Sequence, residues 1–198
     1  MRPITLCPIV LFFWGVWGAM PRAEDADIYR VSTSVVRHKD VFEIQANYLT
    51  PLNACEAYRY LTDYEAAKKV PGVLDSKTIK REGDKVTVER WAQERILFIN
   101  INLHTLLEYR ETPYLKTEFV QLMGDSKQFT GRWDIEHTHD QAYPTQVRYT
   151  GVLEPNSILP MFVLEYFIKN NLKERFQIMA KFAAERRGLA YASCDSPH

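Results

Sequence analysis

The fold of this chain is decided by residues 159–187, which read LPMFVLEYFIKNNLKERFQIMAKFAAERR. Apolar residues recur there at steps of three and four, a spacing that predicts one apolar stripe along a helix of roughly seven turns. Pro160 suits the first turn of this helix, and Gly188 suits its C-cap. Such a helix needs a broad apolar surface to lie on. The stripe comprises Met161, Leu164, Ile168, Leu172, Phe176, Met179, Phe182 and Ala183.

Two charged residues project on the same side of this predicted helix as the apolar stripe. At about 100° per residue, Glu165 and Arg175 share the side of Met161 and Leu172. A charge on a buried face is costly unless it is paired or reaches water. Two interpretations are open: each side chain reaches the rim or bonds a strand partner, or both face a partly hydrated cavity between helix and sheet.

The composition is that of a globular protein and narrows the functional classes. The chain has 198 residues, enough for one sizeable core, with 25 basic and 25 acidic residues and a formal net charge of zero. This balance, without a basic block, argues against nucleic acid as a partner. Phosphate-binding glycine loops, dinucleotide fingerprints and nucleophile motifs are absent from the sequence, so we expect no cofactor. His137, His139 and Asp140 lie in a predicted hairpin loop, which favours a solvated turn over a metal site.

The N-terminus is typical of an export signal. Arg2 precedes the uncharged apolar stretch ITLCPIVLFFWGVW at residues 4–17, and small residues follow by Ala23. We interpret residues 1–23 as a cleaved signal peptide rather than a retained membrane anchor, because the apolar stretch is marginal for spanning a bilayer. The sequence therefore predicts a periplasmic or secreted protein.

The rest of the chain divides into three parts. Residues 24–40 are polar with a weak alternation and form a leader or an extra edge strand. Residues 41–188 carry the regular patterns and form one domain, and residues 189–198 are a polar tail. Outside the cytoplasm Cys55 and Cys194 could pair, but no sequence feature brings them together, so we expect two free thiols.

Between the leader and the long helix, the patterns predict one strand, two short helices and six further strands. The first strand, residues 41–49, alternates apolar and polar positions, and Thr50 and Pro51 then begin a helix. A second short helix covers residues 63–70, and Asp63 is expected to cap it rather than to act as a general base. The later strands are predicted over residues 73–81, 85–95, 97–112, 116–123, 128–136 and 145–154.

Because the links between these strands are short, we expect an antiparallel meander with helices on one face, which is an α+β fold. A sheet long enough to curve around one helix leaves a tapering space between the two. Gly131 and Gly151 lie on the presumed inner faces of their strands. A missing side chain there either kinks the strand or makes room.

Several stretches of the sequence resemble a known family. They read AYRYLTDYEAAKKVPGVLDSKTIKREGDKVTVE at residues 57–89, QFTGRWDIE at 128–136 and LPMFVLEYFIKNNLKERF at 159–176. In this order they resemble the START-like polyketide cyclase/dehydrase and lipid-transport superfamily (SRPBCC), closest to its coenzyme-Q-binding type, over roughly residues 41–187. The resemblance implies a helix-grip fold, in which a curved sheet of about seven strands surrounds the C-terminal helix. It also implies a cavity for an apolar molecule such as a quinone, lipid, sterol or polyketide.

The implied cavity would be lined by inward-facing residues of the strands and the long helix. Aromatic rings would hold an apolar body, and Glu165 and Arg175 would orient its polar end. Gln121 and Tyr149 would do the same from the sheet, although the facing of Trp91 and Gln121 depends on strand register. Packing in a solid core is the alternative for each residue. The predicted ligand-binding residues are Trp91, Ile99, Ile101, Leu103, Phe119, Gln121, Phe129, Gly131, Trp133, Tyr149, Leu164, Glu165, Ile168, Leu172 and Arg175.

These features favour a non-catalytic protein that binds or transports an apolar small molecule outside the cytoplasm. A transient membrane contact is compatible with this role, and the gate would lie between residues 161–167 and residues 63–72. A cyclase or dehydratase acting in the same cavity is the alternative, with Glu165 as its only suitable acid/base group. A protein-interaction module whose groove takes an apolar segment is a third hypothesis.

Overall fold

A computed structural model describes residues 27–96, 98–187 and 194 of the chain. The interpreted signal peptide, Gly188 and the polar tail apart from Cys194 lie outside these residues. The helices are α1 (Ala54–Thr62) and α2 (Met161–Glu185), and a 3₁₀ segment (Tyr64–Lys69) follows α1. The strands are β1 (Ser32–His38), β2 (Val41–Thr50), β3 (Val73–Glu82), β4 (Lys85–Ile96), β5 (Ile99–Thr112), β6 (Lys116–Gly124), β7 (Ser126–His137) and β8 (Thr145–Pro155).

These eight strands form one antiparallel sheet in the order β1-β2-β8-β7-β6-β5-β4-β3. All neighbours but one are consecutive in the chain, and the exception is the pair β2–β8, which brings the second and last strands together. The helical segments between β2 and β3 therefore connect an inner strand to the far edge of the sheet. The predicted α+β fold is confirmed, and the leader supplies the extra edge strand β1.

The strand register shows which side chains face the helices. In β2 the alternating residues Phe42, Ile44, Ala46 and Tyr48 are buried, and α2 packs on β1 and β2. Ile44 is paired with Gly151, and Gly151 is paired with Gly131 in β7. Both glycines thus lie on the inner face, as the alternation predicted.

Aromatic rings of the chain itself fill the space beside the two inward glycines. A Cβ on Gly131 would lie 2.6 Å from Cζ of Phe119, and a Cβ on Gly151 would lie 2.7 Å from Cζ of Tyr149. Real Cβ atoms do not approach ring carbons so closely, so both positions require glycine. The glycines make room, but they make it for neighbouring rings rather than for a wide cavity.

Replacing Gly131 with alanine should therefore lower the free energy of unfolding by about 1–3 kcal/mol, the usual cost of overpacking. The ring of Phe119 cannot move aside easily, since it lies between Tyr109 and Phe129 at centroid distances of 5.3 and 5.0 Å. Urea unfolding would measure the change. In a Phe119→Leu background the same substitution should cost less, because the overlapping ring is gone. An equal cost in both backgrounds would contradict this account.

Helix α1 begins later than predicted. Thr50 ends β2, and Asn53 is the N-cap: its Oδ1 accepts the Glu56 N–H at 2.9 Å. Glu56 Oε2 in turn accepts the Asn53 N–H at 2.8 Å, which completes a capping box. The prediction that Thr50 and Pro51 begin the helix is wrong because this reciprocal pair satisfies two backbone donors, which outweighs the Thr-Pro signal.

A disulfide links Cys55 in the first turn of α1 to Cys194 in the tail. The expectation of two free thiols is therefore wrong. The two cysteines are separated by 139 positions, and no local pattern in a sequence reports a contact over that distance. In the chain-entropy account, closing so long a loop stabilises the folded state by about 5 kcal/mol.

Helix α2 follows the predicted stripe. Pro160 lies at the N-cap position, just before the first turn in which it was predicted, and Arg186 is the C-cap. Leu164 and Phe176 are buried, as is the small-residue end of the helix at Ala183. No helix in the described ranges is both long and apolar enough to cross a membrane.

Candidate ligand-binding site

Aromatic side chains fill the middle of the space between α2 and the sheet. The ring of Phe176 lies 5.7 Å from that of Trp133, 5.8 Å from that of Tyr149 and 6.4 Å from that of Tyr48, between centroids. Trp133 and Tyr149 are themselves 4.6 Å apart. This part of the predicted cavity is consequently a packed core, which the sequence analysis named as the alternative.

A cavity of about 170 Å³ remains at the C-terminal end of α2, and we call it the end cavity. It lies between the 3₁₀ segment, the last turns of α2 and the inner face of the sheet. It reaches the surface, because the exposed Lys69 is one of its lining residues. Its main walls are formed by Tyr64, Ala66 and Ala67 of the 3₁₀ segment, Arg90, Tyr109 and Trp133 of the sheet, and Met179, Phe182 and Arg186 of the C-terminal helix and its cap.

The volume of the end cavity decides what it can hold. An apolar protein cavity of about 150 Å³ binds benzene, whereas sites for drug-sized ligands occupy about 300–1,000 Å³. The end cavity thus accommodates a ring-sized or short apolar group, and a whole lipid or quinone would exceed it. The middle of the wide hollow expected from the sequence is filled by packed rings.

Of the predicted ligand-binding residues, Trp133 alone is among those that line the end cavity. Ile99 is 40% exposed in β5, whereas Phe119, Tyr149 and Leu164 are buried in the core. Gln121 faces inward beside Leu107, but its Nε2 donates to the Ser126 carbonyl at 2.7 Å. The residues that do not line the end cavity are Trp91, Ile99, Ile101, Leu103, Phe119, Gln121, Phe129, Gly131, Tyr149, Leu164, Glu165, Ile168, Leu172 and Arg175.

The prediction that Trp91 faces inward is wrong. Val86 and Val88 are fully buried in β4, so Trp91 lies on the opposite, outer face of that strand. Its ring stacks on His104 at a centroid distance of 5.0 Å, and Lys77 Nζ lies 5.5 Å from its centroid on the neighbouring strand. Apolar and polar residues alternate poorly around Trp91, and an error of one residue in the assumed strand register places every side chain on the opposite face of the sheet.

The two charges on the helix stripe are paired with strand residues, which confirms the first of the two interpretations. Glu165 accepts hydrogen bonds from Arg37 Nε and Lys169 Nζ, each at 2.7 Å. Hydrogen bonds from Lys169 and Arg37 lower the pKa of this carboxyl group. Arg175 is bonded to Glu94 of β4. Because Glu165 is ion-paired away from the end cavity, it is unsuited to acid/base chemistry there.

An ion pair borders the end cavity where α2 meets the 3₁₀ segment. Asp63 Oδ2 accepts from Arg186 Nη1 at 2.8 Å, and Asp63 Oδ1 accepts the Ala66 N–H at 3.2 Å. The capping role predicted for Asp63 is confirmed. Only one of the two segments predicted to form the gate borders the end cavity. The segment after Asp63 lines it, but residues 161–167 lie at the other end of α2.

His137 ends β7, whereas His139 and Asp140 lie in the polar turn that was predicted for all three residues. The rings of His137 and His139 are 6.3 Å apart, and Asp140 Oδ1 accepts the Ala142 N–H at 2.9 Å. In the described part of the chain, no group of three His, Cys, Asp or Glu residues could hold a metal ion.

A buried carboxylate behind the end cavity was missed by the sequence analysis. Glu111 is 8% exposed and accepts hydrogen bonds from Tyr58 and Tyr64, both at 2.8 Å, and from Arg81 at 2.9 Å. It holds α1 and the 3₁₀ segment, which form one wall of the cavity, on the sheet. Its position in the alternation of β5, two residues after Tyr109, was the available signal.

The tyrosines around Glu111 remain protonated donors. Burial, followed by the bond to Glu111, raises the pKa of Tyr58 well above its usual value. Burial and the charge of Glu111 raise the pKa of Tyr64 further. A phenol that donates to a buried carboxylate is stabilised in its neutral form. This group is therefore structural support for the cavity wall.

Tyr64→Phe should destabilise the protein by about 1–3 kcal/mol, because Glu111 Oε1 would lose the donor that satisfies it. Tyr48→Phe is the matched control. The Tyr48 hydroxyl is fully buried and has no hydrogen-bond partner among the described residues. Its removal should leave the melting temperature unchanged or raise it. Equal losses in the two variants, measured by thermal unfolding, would show that the Glu111 bonds add nothing.

The sequence of this chain matches a known protein family. Residues 50–178 match the family described as polyketide cyclase/dehydrase and lipid transport, which is more than half of the chain. No curated protein matches the chain significantly.

Several solved structures have the same fold as this chain. A STAR-related lipid transfer protein from Xanthomonas axonopodis is 12% identical over 79% of this chain and 92% of that chain, with a TM-score of 0.61. The Zhui aromatase/cyclase from Streptomyces sp. R1128 is 15% identical over 77% of this chain and 98% of that chain, with a TM-score of 0.59. A protein from Thermus thermophilus is 19% identical over 78% of this chain and 99% of that chain, with a TM-score of 0.61.

At these identities the structural likeness establishes the helix-grip fold alone, and the family rests on the sequence match. Together they confirm the resemblance to the polyketide cyclase/dehydrase and lipid-transport family and its fold, while the coenzyme-Q-binding type stays a prediction. This chain therefore belongs to the polyketide cyclase/dehydrase and lipid-transport family.

Proposed function

We propose that the protein binds an apolar small molecule, or the ring-sized apolar part of a larger one, in the end cavity. The observation that carries this proposal is a void of about 170 Å³ walled by Tyr64, Tyr109, Trp133, Met179 and Phe182. An apolar protein cavity of about this size binds a ring-sized guest. Burial of apolar surface at about 25 cal/mol per Å² would supply the binding energy without a covalent step.

Binding without catalysis is favoured over an enzymatic role by the state of the acidic groups. Asp63 is the one carboxylate among the described lining residues, and it is bonded to Arg186 and to a backbone N–H. Tyr64 is bonded to Glu111 and has a strongly raised pKa. Neither group is placed to exchange protons with a guest. A cyclase or dehydratase needs such a group, so this alternative has less support.

The ligand class follows from the family and the size of the cavity. One related structure is described as a lipid transfer protein and another as an aromatase/cyclase. The head ring of a quinone or one ring of a polyketide would match the volume, with any tail leaving past Lys69. The packed core makes a groove for a partner's apolar segment the weaker hypothesis.

Filling the end cavity should abolish binding of a neutral ring. Ala67→Trp places an indole in the cavity wall, and we expect it to weaken binding of naphthalene at least about tenfold. Quenching of tryptophan fluorescence and naphthalene emission would measure affinity, with native mass spectrometry to detect a co-purifying ligand. Ala142→Trp, at an exposed loop position, is the matched control and should bind as the unaltered protein does. No binding by the unaltered protein, or equal binding by both variants, would refute the proposal.

The site of action would be outside the cytoplasm. The apolar N-terminus supports export, and the bond between Cys55 and Cys194 is of the kind that persists in oxidising compartments. When the full chain is expressed in a bacterium with a periplasm, we expect the periplasmic fraction to contain a chain cut near residue 23. Alkylation followed by mass spectrometry should find its two cysteines blocked until a reductant is added. An uncut cytoplasmic chain with free thiols would contradict export.

A further inference from the structure

The end cavity carries an excess of positive charge. Three cationic side chains line it, those of Lys69, Arg90 and Arg186, against the single carboxylate of Asp63. Asp63 is engaged with Arg186 at 2.8 Å. The charge that this pair leaves uncompensated belongs to Lys69, which is exposed to water, and to Arg90, which is half-buried on the inner face of β4.

Arg90 has no anionic partner in the described part of the chain. It shares the inner face of β4 with the buried Val86 and Val88, and its Nε donates to Ser76 Oγ at 3.4 Å, a long and weak hydrogen bond. By contrast, Arg81 and Arg175 are both paired with carboxylates inside the fold. A half-buried guanidinium without such a partner is unusual, because its planar fork matches a carboxylate.

The inward carboxylates of β4 and β5 are already occupied. Glu94, four positions along the same face of β4, is bonded to Arg175 from α2. Glu111 of β5 is bonded to two tyrosines and Arg81. The inward acids of β4 and β5 are therefore paired with Arg175 and Arg81, and Arg90 is left without one.

Arg90 reaches the interior beside the aromatic core. Burial raises the pKa of the Tyr149 hydroxyl, and the nearby positive charge of Arg90 partly offsets that rise. Tyr109 and Trp133 line the same cavity, so the guanidinium lies at the margin of an aromatic pocket. An anion there would meet a charge-assisted donor at one side and ring faces at the other.

We propose that the ligand of the end cavity is an acid: a ring-sized apolar body that carries a carboxylate, which Arg90 binds. This inference rests on the proposed function and adds the charge of the ligand to it. A carboxylate matches two donors at the edge of the guanidinium, whereas a neutral head group would leave the buried cation without an anion. No step of chemistry is required.

The test compares 2-naphthoate with its neutral amide, 2-naphthamide, by titration calorimetry at neutral pH. The unaltered protein should bind the acid at least about tenfold more tightly than the amide, a difference in line with one charge-assisted hydrogen bond. Arg90→Gln should remove this preference while changing the affinity for the amide by less than about threefold. Arg95→Gln, an exposed position on the outer face of the same strand, should retain the preference.

The outcomes distinguish failure of the acid inference from failure of the proposed function. Equal affinities for acid and amide in the unaltered protein would overturn the acid inference and leave the proposed function in place, without any variant being needed. Loss of preference in Arg95→Gln as well as Arg90→Gln would also overturn it. Binding of neither probe would overturn the proposed function together with this inference. Circular dichroism and thermal unfolding would verify that the variants are folded.

Discussion

The packing of one helix ring, Phe176, against the aromatic inner face of the sheet is the contact on which the rest of the structure depends. Trp133, Tyr149 and Tyr48 surround it, and they come from β7, β8 and β2, which are adjacent in the sheet although β2 is distant from the other two in the chain. Because this ring occupies the middle of the interior, it fixes the position of α2 on the inner face of the sheet. The end cavity of about 170 Å³ lies beyond this packed region, at the C-terminal end of α2.

Two polar groups then give the end cavity its shape. Glu111 binds the segments that form one wall, and Asp63 joins the start of the 3₁₀ segment to the end of α2. Both carboxylates are satisfied by fixed donors, so they act as structural links. Of the two arginines that line the cavity, Arg90 has no carboxylate partner in the described part of the chain, and it lies at the margin of an aromatic pocket. The proposed binding of a small apolar acid would unite these observations.

Several parts of the site followed from the pattern of residues, and several could not. The alternation of strands β2, β7 and β8 correctly predicted the inward facing of Gly131 and Gly151. It could not reveal that rings of the chain fill the space beside them, because ring positions depend on side-chain rotamers. The prediction that Trp91 faces inward was wrong, because apolar and polar residues alternate poorly in that strand. Arg90 was not singled out, since a lone arginine in a polar strand carries no signal until its neighbours are known.

The amino-acid sequence alone determined the order of elements, their approximate ends, the apolar stripe of α2 and the family, because these depend on local periodicity and on linear motifs. Only the tertiary structure decided how much of the interior is hollow, which charges are paired and that Cys55 meets Cys194. The physical reason is that volume and pairing are set by contacts between residues far apart in the chain. Such contacts exist only once the sheet has curved around the helix.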